Sequence, residues 1–162
     1  MSFADVWASL ENLAFSAYIA ESWLFPFLES IHVLSATFLV GSIVMVDLRL
    51  LGLAARDQPV SRIAKEVVPW TLGACALSVL TGLGMFMTQA SRYVDNRPFQ
   101  VKMLLLILAG LNMAVFHLAT ARGIARWDTA RAATAAARFA GASSLLCWIG
   151  IMLAGRWIGH LL

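Results

Sequence analysis

The chain has 162 residues, 60% of them hydrophobic and 13% charged, with a mean hydropathy of +0.79. A soluble domain carries about 25% charged residues, so this composition excludes an ordinary water-soluble globule and predicts a one-domain integral membrane protein. The net charge of +3 is dispersed along the chain and forms no basic stripe, so no nucleic-acid partner is expected.

Residues 1–21 are too interrupted to span a bilayer. Phe3, Val6, Trp7, Leu10, Leu13, Ala14 and Ala17 form one face, while Asp5 and Glu11 break the other. That pattern predicts a single amphipathic helix lying in the interface. It lacks the basic start of a signal peptide, so no cleaved presequence is expected.

A span needs about 20 mostly apolar residues, and four stretches qualify: about 24–48, 67–87, 101–121 and 139–160. The first belongs to the run Phe25–Leu53, which the rest of the chain is built around. Its polar residues Glu29, His32, Ser35, Ser42 and Arg49 recur at steps of three or seven, which predicts one helical stripe turned inward. Pro26 suits a first helical turn, Gly41 allows close helix approach, and Asp47 with Arg49 closes the span. In the second span Thr71, Ala74, Ser78, Thr81, Met85 and Thr88 mark a helix–helix seam. The connection Gln89–Gln100 carries turn chemistry at Asp95-Asn96 and Pro98. The third span sets Gly110, Ala114 and His117 on one small-residue face. The fourth offers Ala140, Ser143, Ser144, Cys147, Gly150 and Ala154 as small contacts, and ends in Arg156, Trp157 and His160.

Arg49, Arg56, Arg62, Lys65, Arg122, Arg126, Arg131 and Arg138 fall in the two connections on one side; Arg92, Arg97, Lys102 and Arg156 fall on the other. The positive-inside rule then places the richer connections in the cytoplasm and both termini on the periplasmic side. Short loops predict an all-α, up-down-up-down four-helix bundle preceded by the interfacial helix. Cys75 and Cys147 lie mid-span without a CxxC or Cys/His spacing, and read as packing residues.

The motifs FPFLESIHV, VDLRLLGL, VPWTLGACALSVLTGL, VKMLLLILAGLNMAVFH and GRWIG, spread over residues 23–159, resemble a largely uncharacterised family of small bacterial four-helix inner-membrane proteins. That resemblance implies a fold and a location in the bacterial inner membrane but no activity. In architecture and histidine placement the chain also resembles, more loosely, copper-resistance-D-type and four-helix b-type cytochrome membrane domains, in which span histidines hold haem b.

All three histidines lie in or beside spans. Imidazole is a common axial ligand of haem iron, and a helical bundle can present two from facing helices. The leading expectation is therefore a haem-b protein that transfers electrons and exchanges them with quinone. His32 and His117 are the expected iron ligands, Glu29 would orient His32 or manage a proton, and Lys102 and Arg156 would pair with propionates. Depth complicates the simplest pairing. His32 lies nine residues past Trp23, about 14 Å in, whereas His117 lies nineteen past Pro98, about 28 Å from the same face. His160 is then an alternative partner for His32, with His117 holding a second site. The plainer reading makes each histidine a cross-helix hydrogen-bonding group and locks the first and fourth spans with a Glu29–Arg156 ion pair. Two further classes stay open: an accessory subunit of a larger membrane complex or homo-oligomer, and small-solute or metal transport. No Walker loop, HExxH or nucleophile elbow is present, so enzymatic activity is left undecided.

Overall fold

A computed structural model describes residues 3–128 and 133–161. Every regular element in that range is helical: α1 (Phe3–Glu11), α2 (Ala14–Glu21), α3 (Leu24–Leu51), α4 (Val60–Thr88), α5 (Ala90–Asp95), α6 (Arg97–Val115) and α7 (Ala135–Leu161). A π-helical turn, Phe116–Thr120, and a 3₁₀ turn, Ala121–Arg126, follow α6. Four helices are long and apolar enough to cross a membrane: Leu24–Leu51, Val60–Thr88, Arg97–Ala119 and Ala135–Leu161.

These helices outrun the apolar stretches at several ends. α4 begins at Val60 and runs through Pro69, because its first turn is capped from elsewhere in the chain. α3 ends where Gly52 adopts φ 72°. Gly52 N–H donates to the Arg49 carbonyl at 3.0 Å and Leu53 N–H to Leu48 at 2.9 Å, a left-handed stop that a side chain would strain. The N-terminal segment departs from the single helix expected. It breaks between Glu11 and Ala14 into α1 and α2, and the Ser16 hydroxyl donates back to the Leu10 carbonyl at 2.7 Å across the break.

The long helices pair as α3 with α4, α6 with α7, and α3 with α7. Side-chain bonds fix the antiparallel register of the first pair. Ser42 meets Thr71 at 2.8 Å, Ser78 donates to Ser35 at 2.8 Å, and His32 reaches Thr81 at 3.1 Å. The heptad spacing of Ser35/Ser42 and Thr71/Ser78 repeats one contact every two turns, so the seam is built from hydroxyl rungs. Two asparagines fix α6 on α7: Asn96 Nδ2 donates to the Ile158 carbonyl at 3.4 Å and Asn112 Nδ2 to Ala140 at 3.0 Å. Gly141 lets α7 close on α3, since a Cβ there would stand 3.1 Å from Leu50 Cβ and 3.2 Å from the Asp47 carbonyl oxygen. Among the described residues α4 and α6 do not pack along one another, and they meet at the hooded end through Phe86 and Phe99.

The two ends of this arrangement are built differently. At one, α1, α2 and α5 form a hood. Trp7 meets Phe86 edge-on at 5.8 Å, Phe86 stacks on Phe99 at 5.6 Å, and Tyr93 lies 5.5 Å from Phe99. Glu11 Oε1 accepts from Ser91 N at 2.8 Å and Ser91 Oγ at 2.6 Å, holding α1 to α5. At the other end Leu50, Val60, Trp127, Ala133 and Ala137 form the main apolar cluster, gathered around a polar clamp. Arg49, fully buried, donates through Nε to the Gln58 carbonyl at 2.7 Å and through Nη2 to the Asp128 carbonyl at 3.3 Å. The Asp128 carboxylate accepts from Ser61 N at 2.8 Å and from the Ser61 hydroxyl. It thereby satisfies the open N-terminus of α4 from a distant part of the chain.

Candidate functional site

Of the expected inward stripe on α3, Ser35, Ser42 and Arg49 are buried, and His32 is half-buried against α4. His32 Nδ1 lies 2.9 Å from the Ser78 carbonyl oxygen. A carbonyl only accepts, so Nδ1 carries the hydrogen. The nearby Thr81 hydroxyl already donates to the Leu77 carbonyl at 2.7 Å, and so it also accepts from His32. In the neutral ring this leaves the lone pair on Nε2, which makes no hydrogen bond among the described residues. An imidazole anchored through Nδ1–H to a backbone carbonyl, with Nε2 open, is the usual preparation of a metal-ligating histidine. Gly82 sits directly beside the ring: a Cβ there would be 3.1 Å from Cε1.

Lys102, half-buried on α6, is close enough to act electrostatically on His32. Its ammonium lies over Gly155, where a Cβ would stand 3.8 Å from Nζ, and among the described residues it forms no ion pair. His32 and Lys102 thus face the same region from the two helix pairs, within electrostatic reach of each other. Tyr93 on α5 packs against Phe99 of α6. Burial, reinforced by the charge of Glu29, raises its phenol above the ordinary value.

The other expected residues are not brought into this group. Glu29 and Arg156 are both exposed and form no ion pair with each other, which corrects the expected lock between the first and fourth spans. Glu29 leaves the stripe because seven-residue steps run 35, 42, 49, and position 29 is off that line by about 100° at 3.6 residues per turn. His160 is exposed near the end of α7. His117 is exposed in the π-helical turn, and its Nδ1 bonds the Met113 carbonyl of its own helix at 2.9 Å. Its neighbour Phe116 packs on the Leu50 cluster, eighteen residues along α3 from His32, or about 27 Å. His32 and His117 are therefore at opposite ends of the molecule. The small face expected around Gly110, Ala114 and His117 is exposed. Asn112 decides the rotation of α6 by bonding α7, and turns Ala109 inward with it.

One buried polar residue falls off the stripe entirely. Asp47 is 4% exposed, lies beside Ser144 of α7, and its Oδ2 has no hydrogen-bond partner among the described residues. Spacing gave it the role of closing a span; only the approach of α7 at Gly141 buries it. Cys75 and Cys147 are free and half-buried on different helices, and no group of three or more His, Cys, Asp or Glu side chains converges on a metal-sized site among the described residues.

An all-helical chain with four helices long and apolar enough to cross a bilayer defines the class. Within that class the family is shown directly. Residues 6–161 match the model of a family of unknown function, DUF6644, and the chain belongs to it. No curated protein and no solved structure matches the chain.

Proposed function

We propose that the protein is an electron-transfer protein of the bacterial inner membrane that takes haem b at His32. In this reading the four long helices cross the bilayer up-down-up-down, with the hood and both termini on the periplasmic side, as the basic residues of the opposite connections favour. The observation that carries the reading is the Nδ1–H bond of His32 to the Ser78 carbonyl, which leaves Nε2 without a hydrogen bond among the described residues. Haem would supply one-electron chemistry at that place. The chain's part is to fix the imidazole through Ser78 and Thr81, to seat its ring against Gly82, and to offer Lys102 to a propionate.

In this reading His117 is not a second ligand to the same iron, since it is exposed and lies toward the far end. The reading therefore differs from a two-histidine sandwich in a measurable way. Protein expressed with a haem supply is expected to show a high-spin b-type spectrum that His32→Ala abolishes and His117→Ala leaves intact. Lys102→Met is expected to keep the band and lower haem retention. A colourless wild type sinks the proposal and leaves the accessory-subunit reading to be pursued by pull-down from native membrane. Loss of the band in His117→Ala alone would move the site to the other end of the molecule.

A further inference from the structure

Two of the grooves on the apolar surface of the described residues differ in one respect. One, between α3 and α4, is lined by Phe38, Trp70, Gly73 and Leu77 and has no charged residue on its lining. The other, between α6 and α7, is lined by Val101, Leu105, Leu153, Ala154 and Trp157, with Arg97 at its hooded end. Arg97 begins α6, is exposed, and has no carboxylate partner among the described residues. From Arg97 to Leu105 the groove extends about 12 Å, which is inside one leaflet of a hydrocarbon core about 30 Å thick.

We propose that the α6–α7 groove is a binding site for one anionic phospholipid, its phosphate on Arg97 and one acyl chain laid between the helices toward Leu105. The charge complementarity is specific to this groove. A guanidinium matches a phosphate in bidentate geometry, and the exposed Trp157 indole across the groove sits at the level of a headgroup. Below them the walls offer only apolar side chains, which suits an acyl chain and nothing more polar. The α3–α4 groove can take a chain but has no means of choosing a headgroup. The site rests on the membrane placement proposed above and is independent of haem.

The test uses the full chain, extracted from membranes in a mild detergent and mixed with equal amounts of phosphatidylglycerol and phosphatidylcholine of identical acyl chains. Native mass spectrometry then reads the lipid retained. Wild type is expected to keep one phosphatidylglycerol in preference, and Arg97→Gln to reduce that preference about fivefold, the worth of one basic contact near an anionic surface. Arg97→Lys is expected to retain part of the preference. Ala154→Phe, which fills the groove, should reduce retention of both lipids. Arg92→Gln, an exposed arginine of α5 outside the groove, is expected to behave as wild type. Retention indifferent to headgroup, an unchanged preference in Arg97→Gln, or displacement of the lipid by inorganic phosphate alone each overturns the site. Because Arg97 makes no bond that the fold uses, its substitution reports on lipid even where Ala154→Phe fails to fold. A chain that fractionates without detergent would instead remove the membrane placement itself, so the two failures are distinguishable.

Discussion

The two ends of the molecule solve the same problem, tying together helices that are apolar over most of their length, with different chemistry. The clamped end uses a fully buried cation, Arg49, whose donors go to two backbone carbonyls of separate connections. The hooded end uses aromatic edges and faces around Phe86 and one exposed carboxylate, Glu11. A buried, geometrically fixed charge is costly to disturb, whereas an aromatic stack with a surface hydrogen bond can be weakened in small steps. The difference teaches where a functional site can sit. The open Nε2 of His32 and the half-buried Lys102 both lie toward the more adjustable end, and the far end is spent on holding the fold.

That contrast can be broken most directly at Arg49. Arg49→Met leaves the Gln58 carbonyl without its side-chain donor and the Asp128 carbonyl with the Val60 N–H alone, and is expected to cost about 3 kcal/mol. Thermal unfolding in detergent would read this as a loss of several degrees; an unchanged transition would show that the clamp carries no weight. Gly141→Ala comes next. Its methyl group would meet backbone of α3 at 3.2 Å, so the two helices must separate, at about 1–3 kcal/mol. Cross-linking between cysteines introduced at Leu48 and Ala140 would fall if the helices part, and would stay constant if they do not.

Asp128→Asn sharpens the comparison through pH. Burial would raise the Asp128 carboxyl, but the Ser61 hydroxyl and N–H, the Val60 N–H and the Arg49 charge together hold it below its ordinary 3.8. A carboxylate with a depressed folded value adds stability above its unfolded value, and that stability is lost as pH falls through the folded value. Wild type should therefore lose stability only in acid below about pH 4, and Asp128→Asn should flatten that acid limb at the loss of about 1 kcal/mol of capping. Thr81→Val removes one acceptor from His32 and is expected to cost about 0.6 kcal/mol, while lowering any haem retention. Equal retention in this variant would make Ser78 sufficient to fix the ring. The smallest effect is expected at Glu11→Gln. Hydrogen bonds from the Ser91 hydroxyl and N–H hold Glu11 below its ordinary 4.5, so the hood should loosen in wild type only below that range. The variant should remove this acid step from hydrogen exchange of α1 and leave global unfolding where it was.

Much of the architecture was legible in the chain. Four apolar lengths, the seven-residue steps of Ser35, Ser42 and Arg49, and the recurring hydroxyls of the second span are patterns of one helix, and a helix displays its own periodicity in sequence. The seam partners Ser42–Thr71 and Ser35–Ser78 follow once the two helices are set antiparallel. The candidate site was legible only in part. Lys102 is within electrostatic reach of His32; Glu29, Arg156, His117 and His160 are exposed, and His117 lies toward the opposite end.

What the sequence by itself determined is therefore the set of helices, their apolar character and the polar stripe of α3. These depend on composition and local period, which neighbours in the chain decide. What only the tertiary structure decided is the rotation and pairing of those helices: Asn112 turning α6 so that His117 looks outward, Gly141 admitting α7 and burying Asp47, Asp128 capping α4 from 67 residues away. Each is a contact between residues far apart in the chain, and no single-helix period encodes which of several small or polar faces will meet which.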